Sequence, residues 1–250
     1  MNPITASLVV FVCAFGGALL GIFIHRRLPE DHLSGETKDV VKLGMALVST
    51  TVALVLGLLV SSAKGFYDTQ NAEVTQLSTN IVLLDRLLAH YGPEAAEARS
   101  TLRTGIQAQI DLMWWRDSHT TFSQLDAPQN EILLDKIQEL SPKEDRQRAL
   151  QAQALNLAIQ LGQVRLLMFQ QRRVPIPSLL LITLVFWLTA LFISFGLFAP
   201  LNVTVVASQF IAAVAVCAAI YLILEFYYPY SGLIQISDAP LRAALAQLAK

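Results

Sequence analysis

The feature that most constrains this sequence is a long uncharged segment: no Asp, Glu, Lys or Arg occurs between Arg173 and Glu225. About 20 apolar residues cross the hydrocarbon core of a bilayer as a helix. The turn signals at 200–202 divide the segment into two such lengths, 176–198 and 203–224. So long an apolar run exceeds what the core of an ordinary soluble domain would bury, and it therefore predicts a helical membrane hairpin.

The N-terminal part of the chain repeats this pattern. Residues 4–24 are uncharged, and residues 43–63 are uncharged between two lysines. We therefore expect an all-α integral membrane protein with four transmembrane helices in two hairpins, 1–63 and 174–226. The N-terminus lacks the positive region of a cleaved signal peptide, so the first helix is expected to be retained.

The segment 64–173 is predicted to form an extramembrane bundle of four helices, resembling a coiled coil. Because no proline occurs between Pro29 and Pro93, the second span can continue as one helix until Gly92. Its apolar residues beyond the membrane recur at alternating spacings of three and four: Val74, Leu77, Ile81, Leu84, Leu88 and Tyr91. A returning helix carries a matching repeat: Leu150, Ala154, Leu157, Leu161, Val164 and Met168.

The capping pattern of Ser141, Pro142 and Glu144 predicts that the returning helix begins there. Two more helices, 94–115 and 130–140, are expected between the limbs, separated by the irregular loop 116–130.

Aromatic residues are predicted to mark the membrane interface, where Trp and Tyr are favoured. The expected helix lengths return Trp114 and Trp115 to the headgroups, although one of the pair could instead fill the bundle core. After the fourth span the candidates are Tyr227, Tyr228 and Tyr230.

Residues 227–250 are predicted to form an aromatic turn and a short amphipathic helix. Ser237 and Asp238 can cap its start, and its apolar face consists of Leu241, Leu245 and Leu248. This face could lie on the membrane, dock on a neighbouring subunit or dock on its own bundle.

The distribution of Lys and Arg favours one orientation. The connection 26–42 holds four of them and the connection 199–202 holds none, which favours a cytoplasmic first connection and a periplasmic bundle. Four spans would place both termini on the side of the bundle. Three arginines on the bundle side argue for the opposite orientation: Arg165, Arg172 and Arg173.

Several classes of function are disfavoured. No Asp, Glu, Lys, Arg or His lies within the four spans, so the usual carriers of proton relays are missing. The sequence lacks an HExxH motif, a phosphate-binding glycine loop and a serine nucleophile elbow. A net charge of −1 gives no basic surface for nucleic acid. We expect no enzyme activity, no catalytic residue, no cofactor, no metal and no nucleic-acid partner, and we expect Cys13 and Cys217 to be packed thiols.

Small and hydroxylated residues share one face of the second span. Such residues let helices approach closely, or they could line a polar path between copies of this span in a homo-oligomer. We therefore name five pore-lining or helix-packing candidates: Ser49, Thr50, Ala53, Gly57 and Ser61.

Acidic residues in the first connection offer oxygen ligands for a cation such as Ca²⁺, without the spacing of an EF-hand. They are Glu30, Asp31, Glu36 and Asp39. Their position at a helix start is the favoured explanation, because acids favour the positive end of the helix dipole.

Several short segments resemble a family of bacterial inner-membrane proteins of unknown function that is labelled bestrophin-like. They are LPEDHLS (28–34), KDVVKLG (38–44), VSSAK (60–64), NIVLLDR (80–86), SGLIQIS (231–237) and PLR (240–242). The resemblance implies a multi-pass inner-membrane protein.

True bestrophins are pentameric chloride channels with four spans, a calcium clasp and aromatic constrictions on the second span. This chain shares the span count and the large helical domain. Residues 43–63 hold no run of aromatic side chains, and no acidic clasp can be assigned.

Two functions follow as hypotheses. In the first, the protein is a homo-oligomer in the lipid bilayer that forms an ion channel, conducting anions, of bestrophin-like type. In the alternative, it is a non-conducting envelope scaffold or sensor whose bundle, 64–173, binds an unidentified protein partner.

Overall fold

The computed structural model describes residues 2–29, 35–115, 129–171, 178–200 and 202–248, which form helices and turns without a β-strand. The α-helices of this described part are α1 (Pro3–His25), α2 (Gly35–Tyr91), α3 (Ala96–Ile110), α4 (Gln129–Gln138), α5 (Asp145–Gln171), α6 (Ser178–Phe198), α7 (Val203–Phe226) and α8 (Ala239–Gln247). A 3₁₀ turn, Pro93–Ala95, precedes α3, and a π-helical turn, Asp111–Trp115, follows it.

The chain divides into two compact units. One, the membrane unit, consists of Met1–Tyr67 and Pro175–Tyr227, and the other, the extramembrane unit, consists of Asp68–Val174 and Tyr228–Lys250. Helices α1, α2, α6 and α7 are each long and apolar enough to cross a membrane. The prediction of four apolar helices in an all-helical membrane protein is therefore confirmed.

Helix α2 runs without interruption from Gly35 to Tyr91, as the absence of proline predicts. It ends where Gly92 adopts φ 131°, a conformation that side chains with a Cβ atom rarely adopt. Pro93 then follows and cannot continue the helix.

Asparagines cap the starts of two other helices: Asn2 Oδ1 accepts from Ile4 N at 3.1 Å in α1, and Asn202 Oδ1 accepts from Val205 N at 2.8 Å in α7.

Within the membrane unit, α1 packs against α6 and α7. Glycines allow α1 and α6 to approach closely, since a Cβ atom added at Gly21 would overlap the carbonyl of Ile193, and one added at Gly196 would overlap the carbonyl of Ala18. The layout in two sequential hairpins stays a prediction.

The extramembrane unit buries the apolar repeat predicted for α2: Val74, Leu77, Ile81, Leu84, Leu88 and Tyr91. In α5 the buried residues are Ala154, Ala158, Leu161, Val164 and Met168, whereas Leu150 and Leu157 are half-buried. Helix α3 packs on α4, and α4 packs on α5. An ion pair joins α2 to α3, where Arg99 Nε and Nη2 donate to the Asp85 carboxylate at 2.7 and 3.0 Å. The coiled-coil description of this unit stays a prediction.

The predicted start of α5 is wrong. The helix begins at Asp145 and not at Pro142, and the backbone N–H of Arg148 donates to the carbonyl of Glu144 at 3.0 Å. The side chain of Gln147 accepts from Lys143 N at 2.8 Å, a reach-back bond that satisfies a donor ahead of the helix. This competing cap moves the start about one turn later than the Ser141 pattern indicates.

The C-terminal helix α8 docks on its own extramembrane unit. It packs on α3, and Ser78 Oγ of α2 donates to the carbonyl of Pro240 at 2.7 Å. Leu241, Ala244 and Leu248 are buried, while Leu245 is half-buried. At the helix start, Ser237 Oγ accepts from Ala239 N at 3.1 Å. Of the three expected positions for this helix, the single chain adopts intrachain docking.

Candidate functional site

One side of α2 within the membrane unit is exposed. All five sequence candidates, Ser49, Thr50, Ala53, Gly57 and Ser61, are exposed in the single chain. A Cβ atom added at Gly57 would have no described atom within 4 Å. We call the stripe formed by Ala46, Thr50, Ala53, Gly57 and Ser61 the small-residue face, and Ser49 lies at its edge.

Helix α2 contacts its own chain through the opposite side. Val52, Leu59 and Ala63 are buried there, in an apolar core shared with α1, α6 and α7. At about 3.6 residues per turn, the small-residue face lies roughly 140° around the helix from this buried side. A second exposed stripe consists of leucines that are between 65% and 77% exposed: Leu43, Leu47, Leu54 and Leu58.

Threonine hydroxyls on the exposed side are bonded to their own helix. Thr50 Oγ1 donates to the Ala46 carbonyl at 2.9 Å, and Thr51 Oγ1 donates to the Leu47 carbonyl at 3.0 Å. A hydroxyl in hydrocarbon needs such a partner because no water is available. These threonines can therefore face lipid, a neighbouring helix or water without an unsatisfied donor.

Lys64 continues the small-residue face beyond the apolar segment. It lies three residues after Ser61 and seven after Gly57, spacings that place side chains on one side of a helix. Lys64 is exposed, and its ammonium group lies 5.5 Å from the centre of the Tyr67 ring. Lys64 was predicted only to end the span, although its spacing from Gly57 and Ser61 already indicates its place on this face.

A pocket of about 500 Å³ lies beside this face, within the membrane unit. The start of α2, the end of α6 and the start of α7 enclose it. Its polar lining residues are Lys42, Ser49, Ser194, Ser208 and Gln209. Of these, only Ser49 was a sequence candidate, because a single sequence gives no register between α2, α6 and α7.

Residues 12–241 match the family description "Bestrophin-like domain". The chain belongs to the bestrophin-like family. This confirms the resemblance inferred from the short segments. Among curated proteins, none matches the chain.

The bestrophin-like fold is also found in solved structures. An isoleucine-to-threonine variant of a bacterial bestrophin homologue from Klebsiella pneumoniae superposes with a TM-score of 0.71 at 13% identity, covering 100% of this chain and 98% of the other. A leucine-to-threonine variant of a bestrophin homologue from the same organism gives 0.70 at 13% identity, with 99% and 98% covered. A structure described as a membrane protein with a proline-to-alanine change gives 0.65 at 13% identity, covering 99% and 97%. At this identity the likeness shows the fold alone.

Aromatic candidates of this bestrophin-like chain lie in both units. In the membrane unit, Tyr227 stacks on Phe66 with ring centres 5.5 Å apart. In the extramembrane unit, Trp114 Nε1 donates to the Ile236 carbonyl at 2.8 Å, and its ring meets Tyr230 edge-on at 5.4 Å. Tyr228 is half-buried. A place at the headgroups stays a prediction for these residues and for Trp115, whose side chain lies outside the described part of the chain.

Tyr230 also belongs to a polar network that the sequence did not indicate. Its hydroxyl donates to Gln70 Oε1 at 2.8 Å, and the Gln70 amide donates to Gln171 Oε1 and, at 3.1 Å, to Glu73 Oε2. The Gln171 amide donates to Glu73 Oε1 at 2.8 Å. Burial raises the pKa of Glu73 above its ordinary value, and the Gln171 hydrogen bond offsets part of that rise.

The acidic candidates for a cation site are only partly described. Glu30 and Asp31 lie outside the described residues. Glu36 and Asp39 lie on the first turns of α2, and Asp39 Oδ1 is 3.7 Å from Lys42 Nζ. In the part of the chain that the structure describes, no group of three or more His, Cys, Asp or Glu side chains is placed to hold a metal ion.

Cys13 and Cys217 are free thiols, and Cys217 Sγ donates to the Ser7 carbonyl at 3.1 Å.

Proposed function

We propose that this bestrophin-like protein is a homo-oligomer in the bacterial inner membrane that conducts ions along the small-residue face of α2. The observation that carries the proposal is the exposure of this face in the single chain, with open space around Gly57. One copy of α2 cannot enclose a path by itself. Several copies arranged around an axis would enclose one between their small-residue faces.

The composition of the exposed side favours assembly through this face. Exposed leucines give no drive for helices to associate in a bilayer, because lipid tails are as apolar as leucine. Small residues differ, because they allow helices to approach closely or leave space between them. The small-residue face is therefore the part of α2 whose exposure is best explained by neighbouring copies.

The charge of Lys64 at the end of this face favours a water-filled path over a close helix contact from which water is excluded. A lysine in a close helix contact would lose its hydration, which is costly for an ammonium group. Lys64 lies on the small-residue face, so an oligomer would place a ring of lysines where the apolar segment ends, one turn before Asp68 on the same face. No carboxylate occurs between Leu43 and Ala63, so this stretch has no acidic ring of the kind that selects cations. An anion is therefore the proposed permeant ion.

The test replaces glycine by leucine on two sides of α2. Gly57→Leu fills the open space of the small-residue face, while Gly44→Leu adds the same volume at another open position, roughly 140° away at about 3.6 residues per turn. We expect Gly57→Leu to lower chloride flux into liposomes at least about tenfold while the oligomer persists in nanodiscs. Gly44→Leu should retain both flux and oligomer.

Three results would contradict this function. A wild-type protein that is monomeric in nanodiscs cannot form the path. Joint loss of flux and oligomer in Gly57→Leu would mean that the face is a close packing contact. A stable oligomer without flux would favour the alternative, a scaffold or sensor whose bundle binds a protein partner.

A further inference from the structure

The pocket of the membrane unit has lining residues of two kinds. Its apolar side chains include Met45 of α2 and Phe195 and Phe198 of α6. Its polar side chains come from all three enclosing helices, and they include Lys42 at the start of the apolar segment of α2. Its volume of about 500 Å³ is far larger than a single inorganic ion requires, and it lies within the range of about 300–1,000 Å³ that is usual for pockets that hold small organic ligands.

Two serines that line this pocket have no hydrogen-bond partner within the described chain, unlike the threonines of α6. Thr183 and Thr189 of α6 donate to the carbonyls of Leu179 and Val185, at 2.9 and 2.7 Å. Ser49 and Ser194 make no such bond to any residue that the structure describes. Ser194 is only 9% exposed and lines the pocket. A hydroxyl this buried is expected to find a partner.

Gln209 adds a third group of the same kind. Within the described chain its amide has no hydrogen-bond partner, and it lines the pocket. An amide at membrane depth without a partner is costly. Ser49, Ser194 and Gln209 together therefore present hydrogen-bond donors for which a ligand would supply the acceptors.

The depth of these groups matches the polar parts of a phospholipid. Lys42 precedes the apolar segment of α2 and lies at headgroup level, where lysine side chains are found. Ser49 lies seven residues further along the helix, or roughly 10 Å deeper. Ser194 lies four residues before the end of α6, and Gln209 lies six residues after the start of α7. In a glycerophospholipid the phosphate lies at headgroup level, and the ester carbonyls lie below it.

We propose that this pocket binds an anionic phospholipid. The Lys42 ammonium contacts the phosphate, and Ser49, Ser194 and Gln209 donate hydrogen bonds to ester carbonyls. Met45, Phe195 and Phe198 contact the first methylene groups of the acyl chains. Asp39 lies 3.7 Å from Lys42, but both side chains are well exposed, so this pair is weak and leaves Lys42 available. The site does not depend on ion conduction.

Within the pocket, the Lys42 ammonium favours an anionic lipid over a zwitterionic one, whose own cationic group it would repel. The last residue of α1, His25, has Nδ1 2.7 Å from the carbonyl of Leu197, the neighbour of the pocket residue Phe198. Arg26 and Arg27 follow directly and therefore lie at the same end of the membrane unit. Basic residues near a membrane surface each contribute attraction for anionic lipids.

The test measures which lipids stay bound. The full-length protein is equilibrated in vesicles of equal parts phosphatidylglycerol and phosphatidylcholine, extracted in mild detergent and analysed by native mass spectrometry. We expect wild type to retain phosphatidylglycerol preferentially. Lys42→Gln should lower that retention about fivefold through the lost charge, and Ser194→Ala should lower retention of both lipids by a similar factor through the lost hydrogen bond.

Matched controls separate the pocket from general surface attraction. Lys38→Gln removes the same charge one turn earlier in α2, outside the pocket, and Thr183→Ala removes a self-bonded hydroxyl of α6. Both should retain phosphatidylglycerol as wild type does. If Lys42→Gln does not fold, Ser194→Ala still decides the question.

Three results would overturn the proposal. The first is that wild type retains the two lipids equally. The second is that Lys38→Gln and Lys42→Gln lose equal amounts of phosphatidylglycerol. The third is a structure of the oligomer in which protein side chains or an inorganic ion alone fill the pocket.

Discussion

Helix α2 is covered very differently in its two parts. In the extramembrane unit, Val74, Leu77, Ile81 and Leu84 are fully buried by the same chain. In the membrane unit, the leucines at 43, 47, 54 and 58 remain mostly exposed. Both parts are rich in apolar residues, so hydrophobicity alone does not explain the difference. Apolar side chains must leave water, but they need not leave lipid, and the membrane unit can therefore leave contact surface uncovered.

Polar groups show the same contrast. In the extramembrane unit, Gln70 and Asp85 of α2 are buried and bonded to other segments of the chain. In the membrane unit, Thr50 and Thr51 bond only to their own helix. Bonds between segments favour one arrangement of helices, whereas bonds within a helix are compatible with many neighbours. The extramembrane part of α2 is thus specified by its own chain, and the membrane part can accept other partners.

Truncating one leucine in each part of α2 should produce the largest difference. Leu84→Ala leaves a cavity in a fully buried site and should cost about 3 kcal/mol, lowering Tm by roughly 10 °C. Leu54→Ala removes the same atoms from an exposed site and should cost less than about 0.5 kcal/mol. Thermal unfolding followed by circular dichroism in detergent measures both. Similar losses would mean that Leu54 is also buried, by a neighbouring subunit.

Adding one methyl group to glycines of the membrane unit should give an intermediate effect. Gly196→Ala places a Cβ atom against the Ala18 carbonyl and should destabilise the protein by about 1–3 kcal/mol, because backbone must move. Gly57→Ala meets open space and should leave Tm unchanged or slightly raised, because alanine favours the helix more than glycine does. The same melting experiment compares the two. A Gly196→Ala protein as stable as wild type would show that α1 and α6 are far enough apart at Gly196 to accept a methyl group.

The smallest expected effect is a pH dependence in the extramembrane unit. Burial raises the pKa of Glu73 from 4.5, so the folded protein binds this proton more tightly than the unfolded chain does. The stabilisation that protonated Glu73 provides is complete below pH 4.5 and is lost as pH rises through the folded pKa. Glu73→Gln should remove the Glu73 contribution from the change in Tm between about pH 4 and about pH 7. The exposed control Glu144→Gln should retain that contribution. Identical pH profiles for wild type and Glu73→Gln would rule the contribution out.

Sequence patterns predicted those features that depend on one helix at a time. The end of α2 follows from Gly92 and Pro93, and its buried repeat follows from spacings of three and four. The start of α5 was missed because two caps compete there, and Gln147 offers the bond that Ser141 was expected to supply. The outcome depends on small local free-energy differences that residue types alone do not rank.

Features that depend on register between helices could not be predicted. Gly17 and Gly21 are four residues apart in α1, a spacing typical of close helix contacts, but nothing in the sequence identifies Gly196 as part of the same contact. In the same way, Ser49, Ser194 and Gln209 are far apart in sequence and have no common motif. They line one pocket only because α2, α6 and α7 pack at a particular register.

The close approach of α1 and α6 at Gly21 and at Gly196 limits how this protein can be redesigned. Most tight contacts can be relieved by a smaller residue on the facing helix, so a harmful substitution can be rescued at a second site. Here each glycine faces a main-chain carbonyl, which has no side chain to shorten, and glycine is already the smallest residue. Second-site suppressors of a Gly196 substitution should therefore not be found at the contact itself. They should arise at positions that change the distance or the crossing angle between α1 and α6.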